Sequence, residues 1–182
     1  MIITIYLKRS EKMVEIKDET DIEIYLRAII SEITEIKSFK YVDVDDDLEE
    51  IVSGHMANHY KGPVVFFSMH EQKMSLSSSL HTLKPQCQLT VLASYKKNNP
   101  ADLITVRQQT RVWITKLINR MQEDYEKARE AAFESPNPAG GGYWTFKLHN
   151  GLILPIGNIN NSGTRGWSMD FEISFPVTET RI

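Results

Sequence analysis

Three groups of residues in this 182-residue chain have types and spacings that chemistry uses. Asp43, Asp45, Asp46 and Asp47 bunch carboxylates of the kind that hold magnesium or calcium. Counted from Asp43, however, the positions that a calcium loop reserves for glycine and glutamate hold Leu48 and Gly54. A strand end followed by a helix N-terminus, where negative charge is stabilised by the helix dipole, accounts for the same cluster. His55 and His59 stand four apart on a predicted helix, a spacing that can bring two imidazoles to one zinc. The glutamate that would follow the first histidine in a metalloprotease is replaced by Met56. Cys87 falls on the inward side of an alternating segment, the setting of a small buried hydrophobe rather than of a nucleophile. No serine sits in a G-x-S-x-G elbow, and Gly140 to Gly142 lead into Tyr143 and Trp144 rather than into the Lys and helix of a phosphate loop. This reading assigns no catalytic residue, no metal ligand and no cofactor. Its enzymatic alternative is a metal-dependent hydrolase or nuclease built on Asp43–Asp47 with His55 or His59.

The elements that would position these groups follow from periodicity. Thr20 to Glu23 (T-D-I-E) has the form of a capping box, and Ile22, Leu26, Ile29, Ile33 and Ile36 recur at helical spacing after it. Phe39–Val44 predicts a short strand and Leu48–His59 a second helix, ended by Gly62-Pro63. Val64–Met69 is a continuous apolar run, as in a strand buried on both faces. From Gln86 to Tyr95, Cys87, Leu89, Val91, Ala93 and Tyr95 alternate onto one face. Asn99-Pro100-Ala101-Asp102 starts the longest helix, whose stripe runs Leu103, Val106, Thr110, Trp113, Leu117, Met121 and Tyr125, widened by Ile114 and Ile118. Tyr143–Leu148 and Leu152–Ile156 predict a hairpin around an Asn150-Gly151 turn, with Pro155 at an edge or bulge. Trp167 to Phe175 alternates most regularly of all. The order predicts one α+β domain over 1–182: a mostly antiparallel sheet with helices on one face and one long central helix. A projecting loop or hairpin near 71–85 and a flexible connection at 135–142 complete it.

Composition sets the outer bounds. Apolar residues make up 41% and charged residues 25%, as in globular proteins. The 21 basic residues against 24 acidic, a net charge of −3, provide no overall attraction to nucleic acid or acidic lipid. No run approaches the roughly 18 consecutive apolar residues of a membrane span, and Lys8 and Arg9 follow the apolar opening where a secretory signal would put its charge first. One cysteine, Cys87, cannot form an internal disulfide.

Two features point to partners. Arg107, Arg111, Lys116 and Arg120 share the long helix with Glu123, Asp124, Glu126 and Glu130; a solvated charged face is the plainest reading, and a subunit contact and nucleic acid are the alternatives, the latter disfavoured by the net negative charge. Met74, Leu76 and Leu80 are scattered through a serine-rich stretch with no helical period, where an arm packing on a neighbour would explain them. Together with Arg107, Arg111, Tyr143 and Trp144 they form the predicted subunit or partner interface.

The strand Q-L-T-V-L-A-S-Y, the start N-P-A-D with its long amphipathic helix, the loose connection and the terminal strand G-W-S-M-D-F-E-I-S-F-P-V come in an order that resembles the tail terminator, or tail completion, proteins of bacteriophages. The resemblance covers the part from Gln86 onward and extends loosely to the N-terminal helix and strand. It implies a structural virion protein, not an enzyme, that forms a ring, usually hexameric. Such a ring caps the tail tube and docks to the head–tail connector. The implied partners are other copies of the chain, the tail tube protein and neck or connector proteins, with no membrane, no direct nucleic-acid contact and no cofactor. The implied location is the virion, assembled in the bacterial cytoplasm. A neck or head-completion protein of the same virion class is the alternative. The 71–85 segment and the Tyr143–Ile156 hairpin depart from the pattern.

Overall fold

Alternation along the last strand decides the layers. In a computed structural model, which describes residues 16–42, 54, 62–76, 81–134, 144–157 and 163–177, this strand, β5 (Thr164–Val177), lies inside a sheet with five described strands. The others are β1 (Ser38–Tyr41), β2 (Val64–Leu76), β3 (His81–Ser94) and β4 (Thr145–Ile156), and the spatial order is β1-β2-β3-β5-β4. Among the described strands only β1 and β2 pair in parallel; the other neighbouring pairs are antiparallel. The fold is α+β, with a mixed, mostly antiparallel sheet and two described helices, α1 (Glu19–Ser31) and α2 (Pro100–Glu134), on one face.

That face is the main core. Met169, Phe171, Ile173 and Phe175 of β5 point into it, beside Cys87, Leu89, Val91 and Ala93 of β3 and Val65 and Phe67 of β2. The helix stripe that meets them comprises Val106, Trp113, Ile114, Leu117, Met121 and Ala128 of α2 with Ile22, Leu26 and Ile29 of α1. Each such side chain contributes about 1.5–3 kcal/mol by leaving water. Thr110 is also buried on this face, and its hydroxyl donates to the Val106 carbonyl at 2.8 Å, which satisfies it.

The opposite face of the sheet is divided. Val64, Phe66 and Leu92 form a small second cluster with Val42 at one end. Toward the other end cross-strand polar pairs take over: Thr90 with Ser168, Gln88 with Asp170 and Gln86 with Glu172, each at 2.9 Å. The run 64–67 is buried throughout, as its uninterrupted apolar sequence predicts.

Several boundaries differ from expectation for identifiable reasons. The cap of α1 is Asp18, whose carboxylate accepts from the Asp21 N–H at 3.0 Å, while Asp21 accepts from the Lys17 N–H at 2.9 Å. The reciprocal arrangement predicted for Thr20 and Glu23 therefore sits two residues earlier, on a better capping residue. The helix ends at Ser31; Ile33 is buried and Ile36 half-buried beyond it, so the stripe outlasts the helix. By contrast, Asn99 caps α2 as predicted, its side chain accepting from Ala101 and Asp102 N–H groups at 3.1 and 3.3 Å.

The Asn150-Gly151 hairpin does not form. Residues 145–156 make one strand along β5, with an irregularity between Leu148, near Phe171, and Ile153, opposite Met169. Both halves pair with β5 because that places Leu148 and Ile153 against the main core, which a hairpin turning away would not do. Pro155 does lie on β4, the outermost described strand on that side of the sheet, in register with Trp167. The serine-rich stretch supplies paired strand: β2 runs on past Met69 to Leu76, and β3 begins at His81, opposite it. Pro85 sits in β3 near the β2 irregularity between Met69 and Gln72. Gly166 has no alternative, since a Cβ there would lie 1.8 Å from the Val91 carbonyl oxygen. The helix predicted over 48–59 lies outside the described residues except for Gly54, which is helical.

One polar network joins the two helices. Asp124 of α2 is buried, accepting from the Tyr25 hydroxyl at 3.2 Å and from Arg120 Nε at 2.8 Å, and Arg120 reaches Glu32 at 3.1 Å. Burial, and then the Asp124 charge, push the Tyr25 hydroxyl well above its ordinary value, so it stays a donor. Asp124→Ala strands a buried hydroxyl and a half-buried guanidinium, and should lower unfolding free energy by about 2–3 kcal/mol. Tyr25→Phe, which leaves the ion pair in place, should cost about 1 kcal/mol. Urea unfolding followed by circular dichroism measures both, and equal losses would contradict this account of the network.

Candidate interaction surface

The outward side of α2 and the β5 residue beneath its first half form the most distinctive surface. Trp167 is half-buried at the start of β5, and its indole N–H donates to the Arg107 carbonyl at 2.9 Å. Arg107 and Arg111 both hold their guanidinium groups over its ring, each 5.4 Å from the centroid. Cation–π contact at an exposed site contributes about 0.5–1 kcal/mol and fixes two otherwise mobile side chains. Neither arginine forms an ion pair among the described residues, so both remain available as oriented donors. Of the predicted interface residues, these two are exposed and brought together.

The remaining predicted interface residues fall elsewhere. Trp144 is 2% exposed, packed between Tyr25 and Tyr125 at ring distances of 5.6 and 6.1 Å, so it is a core residue of its own chain and offers no surface. An apolar residue beside a glycine-rich connection looks external in sequence, but here it is buried immediately before β4 begins. Met74 and Leu76 lie on β2, in register with Leu83 and His81. Leu80 and Tyr143 lie outside the described residues, as do Asp43–Asp47, His55 and His59. Arg120, grouped by sequence with the solvated bases, is instead half-buried in the Asp124–Glu32 network. Burial works against its charge, but the bond to Asp124 and the nearby carboxylates outweigh this and raise its pKa.

Sequence reasoning missed Ile104, Val112 and Phe133, which are 58%, 52% and 70% exposed on α2. Their signal was there to read: Ile104 and Val112 are out of phase with the stripe Val106, Thr110, Trp113. Beside Val112 a shallow hollow lined by Gln108, Arg111, Thr115 and Asn119 opens along the helix. A second groove, of about 320 Å³, runs between the end of α1 and the middle of α2, lined by Ile29, Ile33, Glu35, Lys116 and Glu123 among others. Its Glu35 carboxyl is held below the ordinary range by a hydrogen bond to its own backbone and by Lys116.

The charge along α2 is polarised. Up to Met121 four bases (Arg107, Arg111, Lys116 and Arg120) stand against one acid, Asp102; from Gln122 five acids (Glu123, Asp124, Glu126, Glu130 and Glu134) stand against Lys127 and Arg129. No base lies in the last turn. Helix stability would favour the reverse, with acids at the N-terminus and bases at the C-terminus. Among the described residues no group of three or more His, Cys, Asp or Glu side chains is placed to hold a metal, and no described helix is long and apolar enough to cross a membrane. The chain matches no protein-family model, and no curated protein matches its sequence.

Cys87 is buried, and burial pushes its thiol up to about 12 from 9.0. In native protein it should resist thiol reagents at pH 8 and react fully once the chain is unfolded, as a chromogenic disulfide reagent would show. The same shifts make the fold less stable in alkali. Unfolded chains release the Cys87 and Tyr25 protons near their ordinary values of 9.0 and 10.0, while the folded chain retains them. Stability is therefore full below about pH 9 and falls as pH rises toward 12, each group adding a slope of up to about 1.4 kcal/mol per pH unit. Cys87→Ala should make that fall shallower in chemical unfolding at stepped pH, and an unchanged slope would refute the assignment.

Proposed function

We propose that this chain is a structural protein of a tailed-phage virion, whose copies form a ring that caps the tail tube and docks on the head–tail connector. The observation that carries this reading is the order of elements from Gln86 on: a central strand, an Asn99-capped helix of 35 residues, and a final alternating strand that returns beside the first, antiparallel to it. That order resembles tail terminator proteins, and β2 and β3 stay paired through the serine-rich stretch to Leu76 and His81. A closed ring requires head-to-tail contacts between unlike surfaces of identical copies. The stacked Arg107–Arg111–Trp167 platform provides one such surface, with arginine and tryptophan, the residue types that anchor interfaces.

Mass measurement by light scattering, with negative-stain images taken before and after adding tail tubes, tests the reading. The expected result is a ring of about six copies, formed alone or on the tube end. Arg107→Ala with Arg111→Ala should weaken ring formation while leaving the monomer folded by circular dichroism. A strict monomer at high concentration, with no density at tube ends, would overturn the proposal.

A further inference from the structure

The exposed side of α2 is complementary to itself when a second copy runs in the opposite direction. We infer that α2 is a two-fold contact between copies of this chain, with the basic half of one helix lying against the acidic half of the other. Its occupant is thus a second copy, and the argument is charge complementarity in a fixed register. Ile104 and Phe133, both strongly exposed, lie near opposite ends of the helix, about 44 Å apart at 1.5 Å per residue. Turned end for end, the helix brings Ile104 of one copy to Phe133 of the other. The same reversal brings Arg111 to Glu126. Both pairs share one centre, between Ile118 and Asn119, and the three-and-four spacing keeps Ile104, Arg111, Asn119, Glu126 and Phe133 on the outward side.

The partners are suited to one another. Arg111 is oriented by Trp167 and has no ion pair among the described residues. Glu126 is exposed and accepts a hydrogen bond from neutral Gln122 at 2.9 Å, which leaves its charge uncompensated at that contact. A parallel arrangement would set arginine on arginine. Because the polarity of charge runs against the helix dipole, stability of the isolated helix does not explain it; pairing with a reversed copy does. Exposed Val112 extends the apolar contact beside Arg111. The contact is isologous and closes a pair rather than a ring. It therefore does not rest on the ring reading, and within a virion it would join two rings or two protomers face to face.

The full-length chain tests it by sedimentation equilibrium at low salt and at about 0.5 M salt, where exposed charge pairs are screened. A dimer weakened by salt is expected. Arg111→Glu and Glu126→Arg should each weaken it by about tenfold or more, and the two together should restore it. Asn119→Cys, close to the two-fold centre, should give a disulfide-linked dimer on mild oxidation. A monomer throughout, singly reversed proteins that dimerise like the parent, or folded single variants that the double variant fails to rescue would each overturn the inference. Rings that assemble unchanged with Glu126→Arg and give no Asn119→Cys cross-link would sink this contact and leave the ring reading standing. Reversal-sensitive dimers that never join tail tubes would do the opposite.

Discussion

The apolar seam between α2 and the centre of the sheet is the contact on which the other features depend. Val106, Trp113, Ile114, Leu117 and Met121 from the helix meet Leu89, Val91, Met169, Phe171 and Ile173 from β3 and β5. Those two strands pair along most of their length, so they offer the helix a continuous apolar floor. Once this seam is made, the rotation of α2 about its own axis is set. That rotation alone decides that Asp124 turns in toward Tyr25 while Arg111, Val112 and Glu126 turn out. A shift of one residue along the helix would bury a different set of charges, at several kcal/mol for each unpaired one.

Polar groups fix what the seam leaves open. The bridge from Tyr25 through Asp124 and Arg120 to Glu32 ties α1 to α2 in one register, since each of its donors is directional. On the other side of the sheet, the pairs Thr90–Ser168, Gln88–Asp170 and Gln86–Glu172 do the same for β3 and β5. These contacts contribute little net energy. They matter because a slipped strand or helix would leave the directional pairs unmade, with Thr90–Ser168 and Tyr25–Asp124 unsatisfied and buried.

The parts of the fold legible in sequence were those where one period runs unbroken. Trp167 to Phe175 alternates without exception and is a strand with two distinct faces; Asn99 with Pro100 starts a helix because side chain and ring each answer a local backbone need. Misreadings fell where a local preference competed with a distant one. Asn150-Gly151 is a favoured turn in isolation, yet β5 offered Leu148 and Ile153 a longer apolar partner, and the strand ran through. Thr20 had the form of a cap, but Asp18 lay two residues earlier with Asp21 to answer it. The candidate surface was half legible: Arg107 and Arg111 stood out by type, whereas Trp144 was placed outside when it belongs within.

Sequence alone determined the α+β class, the long helix and its inward stripe, and the faces of the last strand, because each follows from spacing within a short window. Tertiary structure decided the parallel pairing of β1 with β2, the burial of Trp144, and the meeting of Trp167 with Arg107 and Arg111, 60 and 56 positions away along the chain. It also drew Arg120 and Asp124 of α2 into the interior network and left Arg107, Arg111, Lys116 and Glu126 exposed. These outcomes depend on which distant segments share a surface. The free energy of that choice resides in packing and pairing between them, and no local pattern records it.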